Sequence, residues 1–240
     1  MIKIENTEVV GWEAAIRGMR NPKNSWEKSD SRVCDVENYG NCNGCNNCDG
    51  NLNDGDFAIG PNDHNLMMSL AKGGPVHAKY RRMITVYADI TAPLYWWKEY
   101  DTYKVGTVAN SCSTMHKIDD KEFTMDDFST DHLLDFSWNR LADTIEQLNY
   151  CREKFVNYDP EEEKKLHPAM QYEKKDYWWQ MIQLLPSSYN QKRTVMLNYE
   201  VLAGIYPMRK NHKLDEWHDF CHWIESLPYS EIIIGGEGIN

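Results

Sequence analysis

Hydrophobic and polar residues alternate most clearly over residues 82–90 of the chain. A period of two is typical of a strand that buries one of its faces. The apolar positions of this strand are Ile84, Val86, Ala88 and Ile90. Thr91-Ala92-Pro93 comes next and is a typical helix start, because threonine can accept a hydrogen bond from a backbone amide and proline has no amide hydrogen to leave unused. We therefore predict a strand that leads directly into a helix, which carries Trp96, Trp97 and Tyr100.

Apolar residues at helical spacing mark much of the remaining chain. The longest such stripe consists of Leu134, Trp138, Leu141, Ile145, Leu148 and Phe155. Further helices are predicted over residues 12–19, 63–72, 177–185, 199–206 and 214–227, and a short strand over residues 194–197. The acidic run at residues 159–165 is interpreted as a solvated linker. Helices that dominate around a few strands indicate one α+β domain comprising residues 1–240.

The charge of the chain limits its partners. With 26 Lys and Arg against 37 Asp and Glu, the formal net charge is -11. Such a field repels phosphate backbones and anionic membranes, so we expect no polymeric nucleic acid as a partner. A local basic pocket for a single nucleotide remains compatible with this charge. Because no apolar run approaches the roughly 20 residues that span a bilayer, and the start of the chain lacks a signal-peptide core, we expect no membrane association and a cytoplasmic location.

Four cysteines lie in one segment rich in glycine and asparagine. Their spacing is C-x7-C-x2-C-x2-C, and they are Cys34, Cys42, Cys45 and Cys48. Gaps of two residues let thiolates converge on one ion, which predicts a structural zinc site. An iron–sulfur cluster, disulfides and free thiols are the alternatives. Few apolar residues are available there for burial, so residues 34–56 are interpreted as a Cys-rich insertion within the domain.

The polar segment at residues 103–116 is a candidate site, because it is rich in hydroxyl groups and poor in charge. No Gly-rich phosphate loop, GxSxG elbow or HExxH sequence occurs in the chain. Lys104, Arg209 and His212 lie near predicted element ends, where they could hold an anion or a uracil-like carbonyl. An ordinary loop and surface salt bridges are the alternative interpretations of these features.

Two segments together carry a resemblance over about a third of the chain. In the first, His77, the strand at 82–90 and Ala92-Pro93 follow in one gapless register. In the second, Leu185-Pro186 precedes a strand that ends at Asn198, and then come Arg209, His212 and Trp217. In this order the chain resembles the flavin-dependent thymidylate synthases, which methylate dUMP with methylenetetrahydrofolate, NADPH and FAD. The family fold is α+β, with a small sheet and several long helices.

The register also shows where the chain differs from the family. The family's Arg-His-Arg motif falls on Thr102-Tyr103-Lys104, so that Lys104 alone keeps a basic residue. The serine of the motif's tail falls on Cys112, between Ser111 and Ser113. The arginine that the family has two positions after Asn198 is Glu200 here. Replacing arginine by threonine or glutamate removes a bidentate donor or reverses its charge.

The resemblance implies a role for each matching position. His77, Asn198 and His212 are expected near FAD, and the nucleotide is expected at Lys104, Ser111, Ser113 and Arg209. Arg209 is the expected catalytic residue, because a guanidinium against the pyrimidine can stabilise negative charge that develops there. The resemblance also implies a homotetramer, with dUMP or a related pyrimidine nucleotide, folate and NADPH as ligands.

Three functional hypotheses follow. The first is an active flavin-dependent methyltransferase that acts on dUMP or a related pyrimidine nucleotide. The second is a catalytically degenerate relative that binds nucleotide or flavin. The third is a protein-interaction module on the same scaffold, which would use the Cys-rich insertion and the aromatic surface.

Overall fold

The protein is described here by a computed structural model, which covers residues 2–34, 57–170 and 172–235. The strands are β1 (Lys3–Val10), β2 (Arg32–Val33), β3 (Phe57–Ala58), β4 (Thr85–Pro93), β5 (Val108–Ser111) and β6 (Asn190–Asn198). The helices are α1 (Trp12–Arg20), α2 (Pro61–Lys72), α3 (Leu94–Tyr100), α4 (Thr114–Lys117), α5 (Asp135–Val156), α6 (Pro160–Leu166), α7 (Lys174–Leu184), α8 (Tyr199–Arg209), α9 (Asp215–Glu225) and α10 (Glu231–Ile234). Four strands form one sheet in the order β1-β4-β6-β5, and β2 pairs with β3 in antiparallel register. The predicted α+β class, with a small sheet and several helices, is confirmed.

Strand β4 confirms the alternation seen in the sequence. Ile84, Val86, Ala88 and Ile90 are all buried. Tyr87, which lies between buried positions, is exposed, and a one-turn helix at Lys79–Met83 precedes Ile84 and the strand. The predicted cap is wrong, because Thr91 belongs to β4 and Pro93 stands before α3 without a side-chain cap. The amides of Leu94 and Tyr95 donate instead to the backbone carbonyls of Tyr189 and Ser187, both at 3.0 Å.

The described residues group into two compact units. One unit consists mainly of Asp89–Thr102 and Ala109–Thr194. The other consists mainly of Ile4–Ala88, Tyr103–Val108 and the residues from Val195 onward. The single domain expected from the sequence stays a prediction.

The core of the first unit lies between α5 and α7. Its buried members are Ile118, Phe123, Phe128, Leu141, Ile145, Leu148, Cys151, Tyr177 and Met181. The predicted stripe of α5 is buried in the middle of the helix, whereas Leu134 and Trp138 at its start are 63% and 42% exposed. The sequence pattern therefore identifies the helix and its face but overestimates the length that is covered.

The acidic run was expected to be a linker, and that prediction is wrong. Asp159 caps α6 by accepting hydrogen bonds from the amides of Glu161 at 2.8 Å and Glu162 at 3.4 Å. Glu163 is buried, and its carboxylate accepts a hydrogen bond from the Tyr177 hydroxyl at 2.5 Å. Acidic residues in the first turn and lysines in the last turn suit the dipole of the helix.

The second unit is organised around α1, α2, α8 and α9. Its fully buried side chains include Ala15, Met67, Tyr199, Leu202, Ile205, Trp217, Phe220 and Ile224. The helix predicted over residues 214–227 is α9, and it buries Trp217, Cys221 and Ile224. In the part of the chain that the structure describes, none of the helices combines the length and the apolar character that crossing a membrane requires.

Candidate functional site

Arg209 lies at the end of α8, against two aromatic rings of the same unit. Its Nε donates a hydrogen bond to the hydroxyl of Tyr103 at 2.8 Å. Its guanidinium carbon lies 4.5 Å from the ring centroid of Trp217 and 5.4 Å from that of Tyr103. Trp217 is fully buried, so the guanidinium rests on a fixed aromatic face. The arrangement restrains the cationic side chain on which the expected catalytic role depends.

His212 follows in the turn after α8. Its backbone amide donates to the carbonyl of Arg209 at 3.0 Å, which continues the helical turn by one more bond. Its Nδ1 accepts a hydrogen bond from the amide of Leu214 at 3.2 Å, and its ring centroid lies 6.3 Å from that of Trp217. This turn therefore brings Arg209, His212 and Trp217 into one cluster, while the ligand contacts expected of Arg209 and His212 stay predictions.

Asn198 stands at the junction of β6 and α8, where its side chain has a structural task. The side-chain oxygen accepts a hydrogen bond from the amide of Val201 at 3.0 Å and so caps α8. Gly106 packs against this junction with a φ of +80°, and a Cβ built on it would lie 3.0 Å from Val201 and 3.2 Å from the Asn198 Nδ2. The segment Tyr103–Val108 thus contacts the start of α8 through Gly106 and its end through Tyr103.

Three further residues are expected to contact the nucleotide, namely Lys104, Ser111 and Ser113. Lys104 is exposed and directly follows Tyr103, so the chain itself keeps it near Arg209. Ser111 is an exposed residue of β5, and Ser113 caps the short α4 by accepting from the amide of His116 at 3.2 Å. Both serines belong to the first unit, whereas Arg209 and Lys104 belong to the second.

His77 lies in a cleft that sequence reasoning did not anticipate. The cleft has a volume of ≈ 1280 Å³ and is formed by α1, α2 and the segments next to them. Its cationic lining residues are Arg20, Lys23, Lys28 and Lys79, and Glu27 is the acidic residue among them. Leu66, Leu70, Val76 and Met83 supply apolar surface. A concentration of basic residues around positions 17–28 and 79–82, in a chain of net charge -11, was the signal available in the sequence.

Glu200, which stands where the family has an arginine, is matched by a cation. Its Oε2 lies 3.7 Å from Nη1 of Arg81, and the two side chains are 16% and 8% exposed. Burying an unmatched carboxylate would be costly, and the neighbouring arginine offsets that cost. The negative charge of Glu200 is therefore balanced by Arg81 inside the second unit.

The predicted metal site is largely outside the part of the chain that can be described. Cys42, Cys45 and Cys48 lie outside the described residues, and Cys34 is half-buried beside them in sequence. Within residues 2–34, 57–170 and 172–235, no group of three or more His, Cys, Asp or Glu side chains could hold a metal ion. Zinc at the four cysteines stays a prediction.

Comparisons with known proteins concern the fold. No protein-family model matches the sequence, and no curated protein matches it. Among solved structures, the chain is similar to thymidylate synthase X from Helicobacter pylori with FAD and dUMP, at a TM-score of 0.57 and 14% identity, over 97% of this chain and 96% of that one. A second structure, of the flavin-dependent thymidylate synthase ThyX from the same organism complexed with FAD and dUMP, gives a TM-score of 0.57 and 14% identity over 99% and 100% of the two chains. The protein therefore has the fold of the flavin-dependent thymidylate synthases.

Proposed function

We propose that the protein binds FAD and a pyrimidine nucleotide such as dUMP, and that it methylates the pyrimidine with methylenetetrahydrofolate as the carbon donor and NADPH as the reductant. The observation that carries the proposal is the restrained Arg209 guanidinium on this fold. Structures with the same fold were solved with FAD and dUMP. A homotetramer is part of the proposal, by resemblance to the family.

The role proposed for Arg209 follows from its surroundings. A guanidinium presents donors only, so it suits the carbonyl oxygens of a pyrimidine and the negative charge that develops on them. The hydrogen bond to Tyr103 and the contact with Trp217 orient the group before the ligand arrives. A charge that is already oriented needs little reorganisation during the reaction, which makes its stabilising effect larger.

The basic cleft beside His77 fits FAD in charge and in apolar surface. Lys23, Lys28 and Lys79 could hold the diphosphate in place of the arginines that the chain lacks, while Leu66 and Leu70 offer contact to a flat ring. When bound, the flavin would supply the reducing equivalents of the reaction. His77 is proposed to contact the cofactor from this cleft, and Asn198 and His212 from the Arg209 side. Lys104, Ser111 and Ser113 are proposed for the nucleotide phosphate.

A binding protein without catalysis is the second candidate. Thr102 and Glu200 stand where the family has arginines, and the Arg81 partner of Glu200 cancels a charge rather than adding one. Such a protein would still use Arg209 to hold a nucleotide.

The test combines a spectrum with thermal unfolding. We expect the purified protein to show flavin absorbance, and dUMP at 100 times its Kd to stabilise the fold by about 2.7 kcal/mol. Because hydrogen bonds to a charged group contribute about 1.5–3 kcal/mol, Arg209→Ala should weaken dUMP binding at least about tenfold and, at the same dUMP concentration, reduce the shift in Tm by about half or more. The control is Arg140→Ala, which removes an exposed arginine paired with Asp143 on α5.

The outcomes separate the three hypotheses. Flavin absorbance, a dUMP shift and formation of dTMP from dUMP with methylenetetrahydrofolate and NADPH support the enzyme, whereas the first two without dTMP formation support a binding protein. A colourless protein that dUMP still stabilises supports the binding protein. Neither effect in the wild type would leave the protein-interaction module, and an unchanged shift in Arg209→Ala would remove Arg209 from the site.

A further inference from the structure

Gln191 connects two parts of the first unit through one side chain. It is a buried residue of β6, and its Nε2 donates a hydrogen bond to the backbone carbonyl of Cys112 at 2.9 Å. Its Oε1 accepts a hydrogen bond from Nε of Arg193 at 3.0 Å. Because a guanidinium only donates and a carbonyl only accepts, these two partners together allow one orientation of the carboxamide.

The Arg193 end of this connection is held by further contacts. The guanidinium carbon of Arg193 lies 4.2 Å from the ring centroid of Trp97, and its Nη1 donates to Oδ1 of Asp101 at 2.8 Å. Trp97 is fully buried, and its Nε1 donates to the backbone carbonyl of Gln191 at 2.9 Å. The carboxamide of Gln191 is therefore anchored at this end, and its Nε2 is presented to Cys112 in a fixed position.

The Cys112 end of the connection lies where β5 stops. Strand β5 ends at Ser111, and the amide of Cys112 still donates to the carbonyl of Lys192 at 2.9 Å. Ser113 has an extended backbone, with a φ of -77° and a ψ of 113°. Because residues two positions apart in an extended chain point to the same side, Ser111 and Ser113 share one side of this segment. The hydrogen bond from Gln191 fixes the carbonyl between the two serines.

We propose that Gln191 is a positioning residue, which holds the hydroxyls of Ser111 and Ser113 in the arrangement that binds the phosphate group of the nucleotide. The inference rests on the proposed function, in which both serines contact that phosphate. A serine hydroxyl can donate to a phosphate oxygen, and Ser113 can do so while it accepts from the amide of His116. Donors that are fixed before the ligand arrives lose less entropy on binding. The ligand class is therefore a phosphate monoester, whose affinity depends on Gln191 without a direct contact.

Two substitutions of Gln191 test the inference. Gln191→Glu keeps an acceptor for Arg193 but has no hydrogen to donate to Cys112, whereas Gln191→Met keeps a similar volume and loses both hydrogen bonds. We expect both variants to release the end of β5. Exchange of the backbone amides of residues 109–114 with heavy water, followed by mass spectrometry without ligand, should become at least about tenfold faster.

The phosphate part of the inference is measured with dUMP and deoxyuridine, which differ only in the phosphate group. In both variants the Kd for dUMP should rise about tenfold, toward the Kd for deoxyuridine, because the hydrogen bonds to the phosphate are weakened. The Kd for deoxyuridine should stay unchanged. A role of Gln191 in stability alone would instead weaken the binding of both ligands alike.

The matched control is Gln180→Met, which removes a glutamine on α7 whose Nε2 donates to the carbonyl of Asp176 at 3.4 Å. It should change neither the exchange nor the two Kd values. Unchanged exchange in both Gln191 variants, an equal loss of affinity for both ligands, or faster exchange with an unchanged Kd for dUMP would overturn the inference. A wild type that binds neither dUMP nor deoxyuridine contradicts the proposed function and this use of Gln191, whereas the exchange experiment judges the hydrogen bond to Cys112 without any ligand.

Discussion

Asp63 is a buried carboxylate of the second unit whose two oxygens both accept hydrogen bonds. It is fully buried in α2, and its Oδ1 accepts from Nε of Arg20 at 2.6 Å. Its Oδ2 accepts from the hydroxyls of Ser29 at 2.7 Å and Ser31 at 2.6 Å, and from two backbone amides at 3.1 Å. Burial alone raises the pKa of Asp63, but the hydroxyl donors and Arg20 outweigh it, so the pKa lies below its usual range. One residue thereby ties the segment after α1 to α2.

We predict that Asp63→Asn lowers the free energy of unfolding by about 3–5 kcal/mol near neutral pH, because the buried Arg20 loses its counter-charge. A depressed folded pKa stabilises the wild type above the unfolded value of about 4, and this contribution is lost as the pH falls through the folded pKa. The difference between variant and wild type should therefore shrink below about pH 4. Chemical denaturation of both proteins at several values between roughly pH 7 and pH 3 measures this difference in the free energy of unfolding.

Asp143→Asn is the control for this variant, because it breaks a pair that is 84% and 63% exposed. Exposed pairs contribute about 0–1 kcal/mol, so this change should be small. An Asp63→Asn protein as stable as the Asp143→Asn protein at neutral pH would contradict the importance assigned to the buried pair.

At the scale of elements, the junction of β6 and α8 links stability to the candidate site. Strand β6 ends at Asn198, and the same residue caps the helix that ends at Arg209. The backbone amide of Tyr199 donates to the carbonyl of Ile84 at 3.1 Å, which fixes where the helix leaves the sheet. Because a helix is rigid, fixing its first turn also fixes the position of its last turn. The cap therefore contributes to the position of Arg209.

We predict that Asn198→Ala destabilises the protein by about 1 kcal/mol, since it removes the cap of α8. Asn198→Ser should recover most of this loss, because serine also accepts from the amide of the third helical residue. If Asn198 contacts flavin as proposed, both variants bind less FAD. Comparing urea unfolding with flavin content separates the two roles, and equal stability of the alanine variant and the wild type would rule out the cap as a stabilising feature.

At the scale of the whole molecule, some of the described aromatic residues form the core, whereas others, such as Trp26 and Trp179, are exposed. Nine tryptophans and 14 tyrosines are present, and Trp96, Trp97 and Trp217 are fully buried. Burial raises the pKa of Tyr80 to about 12 and moves the pKa of three further tyrosines higher still. These are Tyr100, Tyr177 and Tyr199. A raised folded pKa favours the protonated form in the native state.

We predict that these four tyrosines fail to ionise near pH 10 in the native protein, and that they ionise together when it unfolds at higher pH. Their contribution to stability is fully present below the unfolded pKa of about 10 and is lost as the pH rises toward the folded values. A spectrophotometric titration of tyrosinate checks this. In denaturant all 14 should titrate in one step, and a single native step containing all of them would show the prediction to be wrong.

Much of the fold was readable from the sequence, whereas the site residues stay predictions. Periodicity located β4, α2, α5, α7, α8 and α9 within a few residues, and the resemblance named Arg209 and His212, which the structure places in one cluster. The linker at residues 159–165 was misread, because a capped acidic helix whose one buried residue is Glu163 has no apolar stripe. The hydrogen bond between Tyr103 and Arg209 and the basic cleft were missed, because each is formed by residues that are distant in sequence.

The pattern of apolar positions by itself determined the α+β class and which residues share one face of each strand or helix, because that depends on spacing along the chain alone. Only the tertiary structure decided that Tyr103 bonds Arg209, that Arg81 matches Glu200, and that four cations surround one cleft in an acidic chain. Such pairings are short-range contacts between side chains on different elements. Their geometry is set when those elements pack, and the order of residues in the chain does not contain it.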